Sequence, residues 1–227
     1  MYCKNEKGLG DIQIKMNRLI GGIKKYGLSR TISGGLKHIR FKHLQKKYGF
    51  DSWHLRPIEF RDYALLVIKM ATELFSEEIC SENGLTVELG CGMGEIISKV
   101  PCARKIGVDI SESVIECAKK LHTDIEFNVG SFNDITDKNI ELFIMVNFLH
   151  DISGDVIKEA INGLISRNCI KIFIIDRLEN IDNSNYSYAH NGEEIFGENY
   201  ELRHRSNPIS AEGGAQRYIE CWEKKKQ

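Results

Sequence analysis

The 227 residues are 42% hydrophobic and 28% charged, enough to build a full core and still dissolve, and three prolines exclude long disordered linkers. The longest apolar runs, Phe143 to Val146 and Ile172 to Ile175, have strand length and exclude a membrane-spanning helix. The opening Met1-Tyr2-Cys3-Lys4-Asn5-Glu6 has no secretory core, so an intracellular, cytoplasmic protein is expected.

Seven scattered cysteines (Cys3, Cys80, Cys91, Cys102, Cys117, Cys169 and Cys221) form no CxxC pair. Most of these thiols are expected to be buried and reduced, with neither a disulfide framework nor a metal site. The net charge of −1 conceals a split: residues 1–56 hold thirteen Lys/Arg and three Asp/Glu, and the remainder is acidic. The basic arm is expected to meet an anionic membrane surface, a phosphorylated acceptor or the acidic remainder, unless it is simply a solvated face. Nucleic acid is not expected, because the arm lacks dense aromatic–basic interleaving.

In chain order, Ile12, Met16, Leu19, Ile20 and Ile23 share one helical face. Gly27 interrupts, Ser29 or Thr31 can cap a second helix carrying Ile32, Leu36, Ile39 and Leu44, and Gly49 ends it. A longer helix is predicted over 59–78, with Tyr63, Leu66, Val67, Met70 and Leu74 inward. From Leu85 the rhythm becomes that of a parallel sheet with crossover helices. Strands are predicted at 86–89, 105–110, 125–129, 142–147 and 170–175, and helices at 94–100, 111–121 and 155–166. A polar stretch, 180–191, leads to a short helix near 193–196 and to two runs, 200–205 and 217–222, that read as an antiparallel closing pair. The domains expected are a basic helical extension, 1–57, and a ligand-binding domain, 58–227.

The strongest motif is Val87-Glu88-Leu89-Gly90-Cys91-Gly92-Met93-Gly94-Glu95, a strand running into a glycine turn. Glycine permits positive φ and close backbone approach to a ligand, and a helix starting there would present its positive end. A dinucleotide fingerprint needs a third glycine at position 95, which is Glu95. The spacing E-x-G-x-G-x-G, with Glu88 and Glu95 repelling a pyrophosphate, favours S-adenosyl-L-methionine. Asp109, ending the run Ile106-Gly107-Val108-Asp109, sits where a carboxylate can accept both ribose hydroxyls, and Ile110 can cover the adenine. Its plainer role would be as a helix N-cap.

Residues 85–175 resemble the core of class I S-adenosylmethionine-dependent methyltransferases. That resemblance implies an α/β, Rossmann-like, seven-stranded and mostly parallel sheet after the N-terminal helical extension. It implies cofactor contacts from Glu88, Gly90, Cys91, Gly92, Gly94, Asp109 and Ile110. The family's third motif corresponds to Gly130-Ser131-Phe132, with Ser131 in place of an acidic residue, and its fourth to Val146-Asn147-Phe148-Leu149-His150-Asp151, where Asn147 would meet the cofactor's ammonium. The segment 46–54, with Pro57 and 61–64, resembles the leader of methyltransferases of bacterial surface-polysaccharide biosynthesis. It implies a small-molecule or glycan acceptor, with a sugar hydroxyl as the methylated group. RNA is the alternative acceptor, and a non-catalytic cofactor-binding module is the reading from another class.

A hydroxyl acceptor calls for a base. His150, beside Asp151, is the leading candidate, with packing beneath the cofactor as its plainer role; His54, His190 and His204 stand in reserve. Arg61 would pair with the cofactor carboxylate, while Trp53, Tyr63 and His190 would contact the substrate. Asn147, Asp176 and Asn180 lack a spacing that argues for a metal.

Overall fold

The computed structural model describes residues 6–137 and 139–226, with side chains from Ile14 onward except Lys15. The side chain of Ile12, and Cys3, lie outside the described residues. The chain divides into two compact units, residues 1–61 and 62–227.

The first unit is helical, with α1 spanning Glu6–Tyr26 and α2 spanning Leu28–Tyr48. Neither Ser29 nor Thr31 caps α2. Gly27 occupies that position at φ 80, and Thr31 donates its hydroxyl back to the Gly27 carbonyl at 2.7 Å from within the first turn. Gly49 ends α2 in the left-handed conformation, as expected of a C-terminal glycine. Two short 3-10 turns follow, Ser52–Leu55 and Ile58–Phe60. They are strapped to α2: Arg30 donates twice to the Glu59 carbonyl, Lys37 pairs with the Glu59 carboxylate at 2.6 Å, and Phe60 lies over Gly34. A Cβ at position 34 would come within 2.5 Å of that ring, so glycine there permits the close approach.

The second unit opens with α3, Asp62–Ser76, later than predicted because Pro57 is followed by a 3-10 turn. Ala64, Val67, Met70, Ala71, Leu74 and Phe75 are its buried residues, whereas Tyr63 and Leu66 are only half-buried. The strands are β1 (Leu85–Leu89), β2 (Arg104–Asp109), β3 (Glu126–Val129), β4 (Asn139–Met145), β5 (Cys169–Glu179), β6 (Tyr200–Arg205), β7 (Ile209–Ser210) and β8 (Gln216–Lys224). Their order is β3-β2-β1-β4-β5-β8-β6, with β7 on β8. Pairings from β3 to β5 are parallel, and those made by β8 are antiparallel. The eighth strand arises because β6 and β7 share one edge of β8, which supplies Glu220 to Lys224 to the former and Gln216 to Arg217 to the latter. A fully buried row, Val87, Phe143, Phe173 and Trp222, runs in register across β1, β4, β5 and β8 and forms the centre of the core. Helices α4 (Glu112–Leu121), α5 (Gly154–Arg167) and α6 (Gly192–Phe196) occur where predicted.

One predicted helix is absent. After the glycine turn only a 3-10 turn forms, Ile97–Lys99. Gly94 at φ 75 holds the chain out of helical geometry at one end, and Pro101 drives Val100 to ψ 132 at the other. The stretch left between them is too short to repay helix nucleation.

Candidate active site

In an open parallel sheet the ligand crevice lies beyond the C-terminal strand ends where the order reverses, here between β1 and β4. Gly90, Gly92 and Gly94 follow β1 at φ 70, 53 and 75, conformations that an L side chain resists. The Phe148 ring lies against the turn, 2.6 Å from where a Gly90 Cβ would stand.

The two acidic residues brace this turn. Asp109 accepts the Gly92 N–H on Oδ2 and the Ser111 N–H on Oδ1, both at 2.9 Å. Ser111, not Asp109, is the N-cap of α4. Glu88 is 2% exposed, and its carboxylate accepts the Ile97 N–H at 2.9 Å, holding the chain where the missing helix would have begun. The glycine turn therefore leads into a 3-10 turn in place of an α-helix N-terminus. Cys91 is buried, and burial first, then Glu88 and Asp109, push its thiol well above the usual range, so it stays protonated.

Around this turn, Ile110 is 79% exposed beside Asp109, an apolar surface open to a flat ring. Ser131 and Asp134 close a capping box after β3, the serine donating to the Asp134 carboxylate, and Phe132 lies 6.3 Å from Phe148. A turn of left-handed glycines beside a buried carboxylate and an exposed aliphatic face fits an adenosine-bearing cofactor.

Beyond β4 lies a polar cluster that the sequence reading had not assembled. Asn147 adopts φ 69, and its N–H donates to Asp176 Oδ1 at 2.8 Å. Arg217, from the start of β8 and 4% exposed, donates to Asn147 Oδ1 at 2.7 Å and to the Tyr186 hydroxyl at 3.3 Å, and lies 3.3 Å from Asp176 Oδ2. Its guanidinium is sandwiched by Tyr63 and Tyr186, at 4.5 and 5.6 Å from their ring centres. Tyr63 is therefore a wall of this cluster. Arg217 holds the Asp176 carboxylate where a metal-assisted scheme would have needed a cation, and Asn180 takes no part in this clamp.

His150 packs edge-on against Tyr186 at 4.7 Å, with Nε2 3.7 Å from Asp151 Oδ2 and Nδ1 buried without a hydrogen-bond partner. Burial lowers its pKa below 6.5; Arg217 and His190 act in the same sense, and Asp176 and Asp151 only partly oppose them. His190 bonds through Nε2 to the Leu149 carbonyl at 2.7 Å, and Tyr188 N–H donates to the His150 carbonyl, so the 180–191 stretch is tied to the His150 turn. Trp53 and Arg61 belong to the helical unit. There Trp53 is 72% exposed and donates its indole N–H to His54. His204 lies exposed on β6.

A family model described as a methyltransferase domain matches residues 87–165. The chain carries a methyltransferase domain. Similar solved structures share its fold. Magnesium protoporphyrin IX methyltransferase (ChlM) from Synechocystis PCC 6803, with bound SAM, superposes with a TM-score of 0.61 at 16% identity, over 86% of this chain and 97% of that one. The N-methyltransferase NodS from Bradyrhizobium japonicum, in complex with S-adenosyl-L-homocysteine, gives 0.63 at 14% identity, over 82% and 98%. A TehB-like SAM-dependent methyltransferase from Corynebacterium glutamicum gives 0.51 at 18%, over 68% and 87%. No curated protein matches by sequence. The methyltransferase domain takes S-adenosylmethionine as its cofactor.

Asp109→Asn tests the turn directly. The amide keeps one acceptor but points an NH2 at the second backbone N–H, and bonds to charged groups are each worth about 1.5–3 kcal/mol. Cofactor affinity by calorimetry is expected to fall about a hundredfold, with the fold intact.

Proposed function

We propose that the enzyme methylates a hydroxyl of a sugar, free or carried on a nucleotide- or lipid-linked glycan, in surface-polysaccharide biosynthesis. The observation that carries this reading is His150. Burial keeps its imidazole neutral near pH 7, and it follows Phe148, the ring seated on the cofactor turn, by two residues. A hydroxyl keeps its proton at neutral pH and is a weak nucleophile, so a neutral imidazole that accepts this proton as the bond to carbon forms is the missing part. An amine acceptor, once deprotonated, needs no such base. Bound S-adenosylmethionine supplies a methyl group already activated by its sulfonium. The chain's own residues then align the acceptor against it, take up one proton at His150, and exclude water with Phe132 and Phe148. The likeness of 46–54 to the leader of polysaccharide methyltransferases supports the choice of acceptor class.

The test is transfer of labelled methyl to nucleotide sugars, lipid-linked oligosaccharides and structured RNA offered side by side. The expected product is a methyl ether on a sugar, stable to alkali. Label released by mild alkali would mean an ester, and label confined to RNA would move the acceptor to nucleic acid; either result overturns the proposal.

A further inference from the structure

Among the described residues, the helical unit carries an apolar stripe along one side of α2 that stays largely exposed. Leu28, Ile32, Leu36 and Ile39 recur at i, i+4, i+8 and i+11 and are 59, 50, 65 and 56% exposed. Of the buried residues of the same helix, Gly34 and Phe41 lie on its opposite side by helical spacing, and Thr31 lies on the flank between. On α1, Met16, Leu19 and Ile20, also on one face, are 50, 50 and 47% exposed. Soluble monomers rarely leave large side chains in so regular an array.

The charge around this stripe is of one sign. Residues 12–50 include ten Lys/Arg and no Asp/Glu. Arg40 and Lys47 fall on one margin of the α2 stripe and Lys42 on the other, all exposed.

We propose that this face lies on a membrane rich in anionic lipid, with the leucines and isoleucines seated at the acyl boundary and the lysines and arginines among the headgroup phosphates. Each half of the pattern needs the other. An RNA backbone would neutralise the cations but leave seven large apolar side chains in water. A second copy would cover the apolar side chains but bring two strongly basic surfaces together. An anionic bilayer surface meets both demands. Among the described residues no helix is long and apolar enough to cross a membrane, so the mode is one of lying in the interface.

Flotation of the full-length protein with phosphatidylcholine vesicles, with and without phosphatidylglycerol, tests the proposal. Binding is expected to be at least about tenfold stronger on the anionic vesicles and to weaken as salt is raised. Ile32→Glu with Leu36→Glu removes two exposed side chains; a helical circular-dichroism signal equal to the native one confirms the variant's fold, and its partition should drop at least about tenfold. Lys42→Glu with Lys46→Glu should abolish the preference for anionic lipid. Three results would each overturn the proposal: no flotation of the native chain, equal flotation of the Ile32/Leu36 variant, or a dimer by sedimentation, lost in that variant, in place of vesicle binding.

Discussion

Replacement of His150 by glutamine is expected to lower kcat by about a hundredfold to ten-thousandfold, the usual span for loss of a general base, with the cofactor's affinity unchanged. Glutamine keeps polarity and much of the volume but cannot take up the proton. The cofactor turn does not depend on this residue, since Asp109 and Glu88 brace it from the other side. Packing against Tyr186 alone would predict a loss of stability with little change in rate, so kinetics and unfolding must be measured on the same variant.

The pH profile separates the roles further. The native pKa of His150 lies below 6.5, so the base is in its active form throughout the neutral range, and the wild-type rate should fall only on the acid side of that value. The variant should lack this limb. Stability follows with a definite sign. The native state favours the neutral ring, so this contribution is fully present above 6.5 and declines as pH falls, because the unfolded chain takes up the proton first. It levels off once the lower native value is passed. A glutamine variant with wild-type turnover would leave His150 as packing and remove the main argument for a hydroxyl acceptor.

What the sequence displayed is what local physics writes into it. Strand runs, glycines demanding positive φ and a carboxylate at the tip of β2 are all short-range features, and they placed Gly90, Gly92, Gly94 and Asp109 together. The helix expected after Gly94 failed because a glycine and a proline bracket it too closely, although both residues were visible. Periodicity put Ile32, Leu36 and Ile39 on one face, but a period does not say whether a face is covered. Arg217 was illegible for another reason. In the sequence it is one charge before Tyr218 to Trp222, forty-one positions after Asp176. Only the antiparallel register of β5 with β8, which sets Arg177 opposite Tyr218 and Leu178 opposite Arg217, brings it beside Asp176 and Asn147.

That placement leads to the largest stability effect expected in this protein. Arg217→Met should destabilise the fold by about 3–5 kcal/mol, as measured by urea unfolding, because it leaves Asp176 buried without its cation. Methionine nearly replaces the aliphatic stem, so most of the loss is electrostatic. Lysine should restore little, since one ammonium cannot reach Asn147, Tyr186 and Asp176 as the guanidinium does. Adding Asp176→Asn to Arg217→Met removes the stranded charge while keeping an acceptor for the Asn147 N–H, and should recover at least about half of the lost stability. Turnover should stay low in the double variant, because Asn147 and Tyr186 would no longer be tied to one another across the site. Recovery of stability without activity would assign the ion pair to shaping the acceptor side of the site, a task that a well-packed apolar pair cannot perform. A double variant no more stable than Arg217→Met alone would instead trace the loss to the stacking of the guanidinium between Tyr63 and Tyr186.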